Sequence, residues 1–146
     1  QGRARGMAFV ESYGSLCAEV AEVSLHGGRP FVHRVVCALD CGSIVLPDGV
    51  RSQVEGGIVQ GLSAVLGEAV GIAAGGAQER NFDTYQVLRI TDSPERIETI
   101  VIESGEPMGG VGEPPLPPLA PAVVNALVAL TGRPIRELPL SRHRFA

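Results

Sequence analysis

The chain has 146 residues, a formal charge of −4 and 45% hydrophobic residues. That is enough for one domain with a real core, but no apolar run reaches the roughly 18–20 residues that a membrane span needs. Arg and Glu are scattered rather than gathered into a basic stripe, so nucleic acid is not an expected partner. Gln1-Gly2-Arg3-Ala4-Arg5-Gly6 has no initiator Met and no signal-peptide apolar region, and runs straight into a strand-like segment. Residues 1–146 are therefore expected to be a single domain cut from a longer protein, with any targeting signal upstream and the compartment undetermined.

In chain order, Met7 to Tyr13, Cys17 to Leu25 and Phe31 to Leu39 read as three strands rich in strand-forming residues. Glu19 and Glu22 are the polar interruptions of the second, and His26-Gly27-Gly28-Arg29 is the turn after it. An antiparallel meander is the natural arrangement. Pro47-Asp48-Gly49 opens a helix to about Leu66, with Val50, Val54, Ile58, Leu62 and Val65/Leu66 recurring at helical spacing. Glu68 to Ala74 reads as a strand and Gly75-Gly76 as a turn. Asn81 to Arg89 is irregular, Ile97 to Glu103 a half-buried strand, and Glu106 to Pro115 a loop. A second, very apolar helix runs from about Leu119 to Leu130, closed by Gly132, and a partly basic tail follows from Ile135 to Ala146. The pattern predicts an α+β fold: a mainly antiparallel sheet packed with two main helices. Cys17, Cys37 and Cys41 form no disulfide framework. In an extended strand Cys37 and Cys41 stand about 13 Å apart at about 3.3 Å per residue, and with only three scattered His no zinc or other metal site is expected, so all three are expected to be buried free thiols.

Three motifs carry possible chemistry. In the first helix Gln53, Gly57 and Gln60 share one face, beside the apolar face of Val54, Ile58 and Leu62. Each mid-helix Gly costs roughly 1 kcal/mol relative to Ala, so Gly56, Gly57 and Gly61 imply a need: close approach of another backbone, or of a ligand. In Gly109-Gly110-Val111-Gly112-Glu113-Pro114-Pro115 a carboxylate sits between a flexible run and a stiff one, and Pro114 forces Glu113 toward extended geometry. The prolines lead into an apolar helix, which suggests a buried loop. Glu113 is then a placed general base, a solvated turn residue, or a residue capping the helix start. In Asn81-Phe82-Asp83-Thr84-Tyr85 the aromatics are expected to pin the loop to the core, with a channel-lining Tyr or Asn as the sharper reading. His26, His33 and His143 are isolated and read as structural or solvated.

Val36-Cys37-Ala38-Leu39-Asp40-Cys41-Gly42, Pro47-Asp48, Gln53 to Leu62, Asn81 to Tyr85 and Gly110 to Leu116 occur in that order. Together they resemble the large, molybdenum-binding subunit of the xanthine oxidase and aldehyde oxidase family, in its C-terminal molybdopterin-binding part. In pattern the chain resembles the bacterial isoquinoline 1-oxidoreductase beta subunit type. There Gly-Gly-Val-Gly-Glu replaces the Lys-Ala-Val-Gly-Glu of animal xanthine oxidases, and Gly109 stands where that Lys would be. The resemblance implies a molybdenum-dependent oxidoreductase that oxidises N-heterocycles or aldehydes with water-derived oxygen. It implies Glu113 as base toward the molybdenum hydroxyl, and Gln53, Gly57, Gln60 and Gly112 as cofactor-binding residues. It further implies molybdopterin cytosine dinucleotide with molybdenum as cofactor. The implied partners are the rest of the large subunit and a small [2Fe-2S] subunit as electron acceptor. A non-catalytic assembly or small-molecule binding domain retaining the fold is the alternative. The intact Gly112-Glu113-Pro114 argues against a degenerate assembly domain.

Overall fold

A computed structural model describes residues 2–145. Gln1, where the reading as a fragment begins, and Ala146, the last residue of the tail, lie outside the described residues. Strands β1 (Ala4–Ser12), β2 (Ser15–His26) and β3 (Arg29–Asp40) form the expected antiparallel meander. Helix α1 (Pro47–Leu66) follows, with Pro47 at its start, where its missing N–H is no loss. The chain then forms a two-stranded hairpin, β4 (Ile72–Ala73) with β5 (Gly76–Ala77), and a 3₁₀ turn at Ile90–Asp92; another lies in the tail at Leu140–Arg142. Strand β6 (Arg96–Ile102) and helix α2 (Leu119–Thr131) complete the main elements. Gly132 closes α2 in the left-handed conformation at φ 66° and donates its N–H to the Val128 carbonyl.

One expectation changes. The strand read over Glu68 to Ala74 shrinks to Ile72–Ala73. It pairs only with its own hairpin partner, and Val70 and Ile72 are exposed, so no sheet rewards its strand-forming residues. The strand near Ile97 joins the main sheet parallel to β3, giving the order β1-β2-β3-β6. The connection from β3 to β6 passes through α1, and a parallel neighbour requires such a crossover. The sheet remains mainly antiparallel.

The sheet is two-faced because side chains alternate along each strand. The inward residues of β2 and β3 include Cys17, Ala21, Val23, Val35, Cys37 and Leu39, all buried. They form one core with Val54, Ile58 and Leu62 of α1 and with Leu119, Val123 and Leu127 of α2. The outward face leaves Met7, Phe9, Ile100 and Ile102 exposed. A register shift between Glu22 and Val23 breaks the alternation of β3, so that consecutive Val32 and His33 are both buried. His33 is structural, as expected: its Nε2 lies 2.7 Å from the Ser24 hydroxyl and its Nδ1 3.3 Å from Glu95.

Glu19 and Glu22, three positions apart on β2, fall on opposite faces. Glu22 is held by Arg3 and Arg5 at 2.8 and 2.9 Å. Glu19 is fully buried, and burial, reinforced by the Cys17 sulfur, pushes its carboxyl up to about 9. The three cysteines are buried and free.

Helix α2 lies over β1 at Gly6, where an added methyl would collide with the Ala122 carbonyl and the Ala126 amide of the helix backbone. The Asn125 side-chain amide donates to the Met7 carbonyl at 3.0 Å and holds α2 in place. Gly6→Ala is therefore expected to destabilise the fold by about 1–3 kcal/mol, the usual cost of overpacking. An unchanged urea midpoint would show that α2 can lift freely from β1.

Candidate functional site

The loop between β6 and α2 is laid against three parts of the fold. Gly109 donates its N–H to the Cys41 carbonyl at 2.9 Å, and Gly110 to the Tyr13 carbonyl at 2.8 Å. The Ser15 hydroxyl donates to the Gly110 carbonyl at 2.6 Å. Tyr13 and Gly14 make the tight β1–β2 turn with positive φ at both positions, which turns the Tyr13 carbonyl toward the loop. A side chain at Gly109 would run into the Gly14 carbonyl and Ser15, and one at Gly110 would stand 2.8 Å from Tyr13 Cβ. Glycine at 109, where the resemblance notes a Lys in other relatives, is here a steric requirement of the backbone contact.

The far end of the loop meets α1. A Cβ at Gly57 would lie 3.1 Å from Pro115 Cβ and 3.6 Å from the Gly112 carbonyl. A Cβ at Gly61 would lie 3.0 Å from the Leu116 carbonyl. Gly56 has nothing within 4 Å. Two of the three mid-helix glycines thus accommodate the approaching loop, which accounts for them without a ligand at those two positions.

Gln53 is the next contact, its Oε1 3.8 Å from where a Gly112 Cβ would stand. Gln53, Gly57, Gly112 and Glu113 are therefore brought together, although α1 and the loop are far apart in sequence. Gln60 continues the same stripe of α1, two turns beyond Gln53, and is exposed. The buried-loop expectation holds for Pro114 and Pro115 but not for the carboxylate: Glu113 is exposed. Its carbonyl accepts the Leu116 N–H at 3.0 Å, a turn that seats the prolines and leaves the side chain outside. The N–H groups of Val111, Gly112 and Glu113 take no backbone acceptor among the described residues. With the Gln53 amide they form a cluster of available donors and one acceptor, the kind of set that a polar heterocycle with phosphate can use.

Several supports of the site had no role assigned from the sequence, although Asp40 and Gly42 lie in the first of the resembling motifs. The Asp40 carboxylate accepts the Gly42 N–H at 3.0 Å and the Ser104 hydroxyl at 2.7 Å, tying the end of β3 to the chain after β6. Those two bonds, Gly42 first, hold its carboxyl below the usual range. Ser43 donates its N–H to the Glu106 carbonyl at 3.0 Å, just ahead of Gly109. Ser63, on the buried side of α1, accepts the Leu88 N–H at 2.8 Å.

The Asn81–Tyr85 motif forms its own turn. The Thr84 and Tyr85 N–H groups donate to the Asn81 carbonyl, and the Asn81 side chain accepts the Phe82 N–H. The aromatics do not both anchor it. Phe82 is 81% exposed, while Tyr85 is half-buried and donates its hydroxyl to Glu68 at 2.6 Å. A shallow hollow of about 340 Å³ is lined by Glu79, Arg80, Asn81, Phe82 and Tyr85, and none of the Glu113-loop residues lines it.

Residues 2–94 match the model of the molybdopterin cofactor-binding domain. The chain is similar to the isoquinoline 1-oxidoreductase subunit beta of Brevundimonas diminuta, 39% identical over 141 residues, which cover 95% of this chain and 18% of that protein. It is 34% identical over 139 residues to the membrane-bound aldehyde dehydrogenase (pyrroloquinoline-quinone) of Gluconacetobacter polyoxogenes, covering 95% of this chain and 17% of that one. Among solved structures it is similar to the aldehyde oxidoreductase of Desulfovibrio desulfuricans, with a TM-score of 0.73, 26% identity, and coverage of 86% of this chain and 14% of that chain. The chain thus spans less than a fifth of the length of these relatives.

Gly57→Leu is expected to push the Pro115 end of the loop off α1, because the branched side chain must occupy the space of Pro115 and the Gly112 carbonyl. Faster amide exchange at Gly109, Gly110 and Leu116, whose N–H groups are hydrogen-bonded in the seated loop, together with a lower urea midpoint is the expected readout. Unchanged exchange would mean that the loop is not seated there. For Asp40, a folded-state carboxyl held below the ordinary value of about 3.9 contributes stability above that pH and loses it as pH falls through the folded value. Asp40→Ala should therefore lower Tm above about pH 4, with the gap to wild type narrowing toward lower pH. A gap that is constant with pH would assign the loss to packing instead.

Proposed function

Because the chain belongs to the molybdopterin cofactor-binding domain family, we propose that it supplies the base-bearing part of a molybdenum hydroxylase that oxidises N-heterocycles or aldehydes with oxygen derived from water. The observation that carries this reading is the seating of the Glu113 loop on the glycine stripe of α1 beside Gln53. It gives an exposed carboxylate a fixed backbone next to a set of free polar groups.

Bound molybdopterin, in its cytosine dinucleotide form, supplies the two-electron redox and oxygen-transfer chemistry. Gln53 and Gln60 would hold it through their side-chain amides, and Gly112 through its N–H and the absence of a side chain. Gly57 contributes by letting the loop come close enough for Gly112 to reach the Gln53 side. Glu113 acts as the general base. Gly112 and Pro114 restrict the backbone on either side of it, and its carboxylate accepts a proton as the substrate carbon is oxidised.

The chain is read as one folded unit of a large subunit, whose remaining part completes the cofactor cradle. The exposed apolar residues Met7, Phe9, Ile100 and Ile102 on the outer sheet face suit such cover. A small [2Fe-2S] subunit is the proposed electron acceptor. No helix among the described residues is long and apolar enough to cross a membrane.

Glu113→Gln keeps size and removes the base. In the full-length enzyme it should lower kcat by about 10²–10⁴-fold, roughly 3–5 kcal/mol, with molybdenum content unchanged. Full cofactor with near-normal turnover would reduce Glu113 to a loop residue. Metal analysis of the same preparation separates this reading from a quinone-dependent one: stoichiometric molybdenum supports it, and a quinone without molybdenum defeats it.

A further inference from the structure

A second group of chemistry-bearing side chains lies in the core, unused by the reading above. Cys17 and Glu19 are alternate residues of β2 and share its inward face. Cys37 of β3 stands directly opposite Glu19 in the antiparallel register. All three are 0% exposed. The Cys17 and Cys37 sulfurs are 3.4 Å apart and unbridged, and one potential ligand atom from each residue lies within 4.8 Å of the other two. Neither carboxylate oxygen of Glu19 has a hydrogen-bond partner. Buried carboxylates are ordinarily paired, hydrogen-bonded or bound to a cation, whereas Glu19 faces a thiol pair that offers it only weak S–H donors.

We propose that Cys17, Glu19 and Cys37 form a closed structural site for a thiophilic divalent cation, with zinc as the ion that fits. Two thiolates select zinc over harder cations. Because both Glu19 oxygens are free, a bidentate carboxylate brings the donor atoms to four, S₂O₂, its two oxygens sharing one corner of the coordination shell. Tetrahedral zinc with Zn–S of about 2.3 Å places its sulfurs about 3.8 Å apart, a small opening from the separation observed here.

A disulfide fits less well. Cys17 pairs with Leu39, so it is a diagonal rather than direct neighbour of Cys37. Diagonal backbone positions lie about 7–8 Å apart, at or beyond the roughly 7 Å that a disulfide spans. A metal atom between the sulfurs bridges that gap. Metal uptake displaces the thiol and carboxyl protons and is coupled to folding, because the ligands are gathered only in the folded sheet.

The test uses the complete polypeptide that carries this sequence, produced in zinc-supplemented medium and dialysed against a chelator. About one zinc per chain is expected in addition to any molybdenum, with a zinc-edge X-ray absorption shell of two sulfurs near 2.3 Å and oxygens at about 2.0–2.2 Å. Loss of a ligand should exceed the about 10–100-fold typical of losing a ligand's supporting partner, so Glu19→Gln and Cys37→Ala should each retain little zinc. Cys41→Ala, which removes the other buried thiol, should retain it. Wild-type protein without zinc, a zinc shell lacking sulfur, or zinc retained by either ligand variant overturns the proposal. The wild-type sulfur count decides it even if a variant fails to fold. Because the readout is zinc, failure of the molybdenum reading leaves this outcome untouched.

Discussion

The position of Glu113 depends on backbone meeting backbone without intervening side chains. The loop of residues 109–116 is clamped between the β1–β2 turn and helix α1, and at each contact a glycine removes the Cβ that would hold the surfaces apart. Gly109 and Gly110 meet Gly14, Ser15 and Tyr13, while Gly57 and Gly61 meet Pro115 and Leu116. The hydrogen bonds that fix the first contact, from Gly110 to Tyr13 and from Ser15 to Gly110, join segments at opposite ends of the chain. Such contacts hold only if the sheet and both helices are already in place, so the site is a product of the whole fold. The helix propensity lost at Gly57 and Gly61, roughly 1 kcal/mol each, is offset by the seating of the prolines.

The sheet supports this clamp through its asymmetry. Both helices cover the inward face and bury the alternating residues of β2 and β3, while the outward face keeps Met7, Phe9, Ile100 and Ile102 in solvent. The parallel pairing of β6 with β3 matters for the same reason. It runs the chain out of the sheet at Ile102 beside Asp40, where Asp40 and Ser104 hold the start of the loop. Had β6 paired antiparallel, the same sequence would have delivered the Glu113 loop to the other end of the sheet.

Polar residues in the core fall into two kinds. Ser24 and His33 satisfy one another at 2.7 Å, and Ser63 takes the Leu88 amide. These are ordinary solutions to burying a hydrogen-bonding group. Glu19 differs because its neighbours Cys17 and Cys37 offer sulfur rather than strong donors. A carboxyl raised to about 9 by burial in such company costs stability unless a cation or proton neutralises it, which makes the group a chemical anomaly rather than a packing detail.

Local patterns in the sequence determined the three-strand meander, the span of α1 from its proline start and the end of α2 at Gly132, because strand alternation, helical spacing and a left-handed glycine cap act over a few residues. The motif order also made the molybdopterin-binding family legible, along with Gln53, Gly57, Gly112 and Glu113 as residues to examine. Tertiary structure alone decided the parallel place of β6, the collapse of the Glu68–Ala74 strand to a two-residue hairpin partner and the exposure of Phe82. It also decided which helix glycines meet the loop and that Glu113 is exposed while its prolines are buried. The burial of Glu19 opposite Cys37 was likewise invisible, since alternation tells which residues share a face but not which face is covered. Each of these depends on partners far away in the chain, and a one-dimensional pattern carries no record of which distant surface will arrive to cover it.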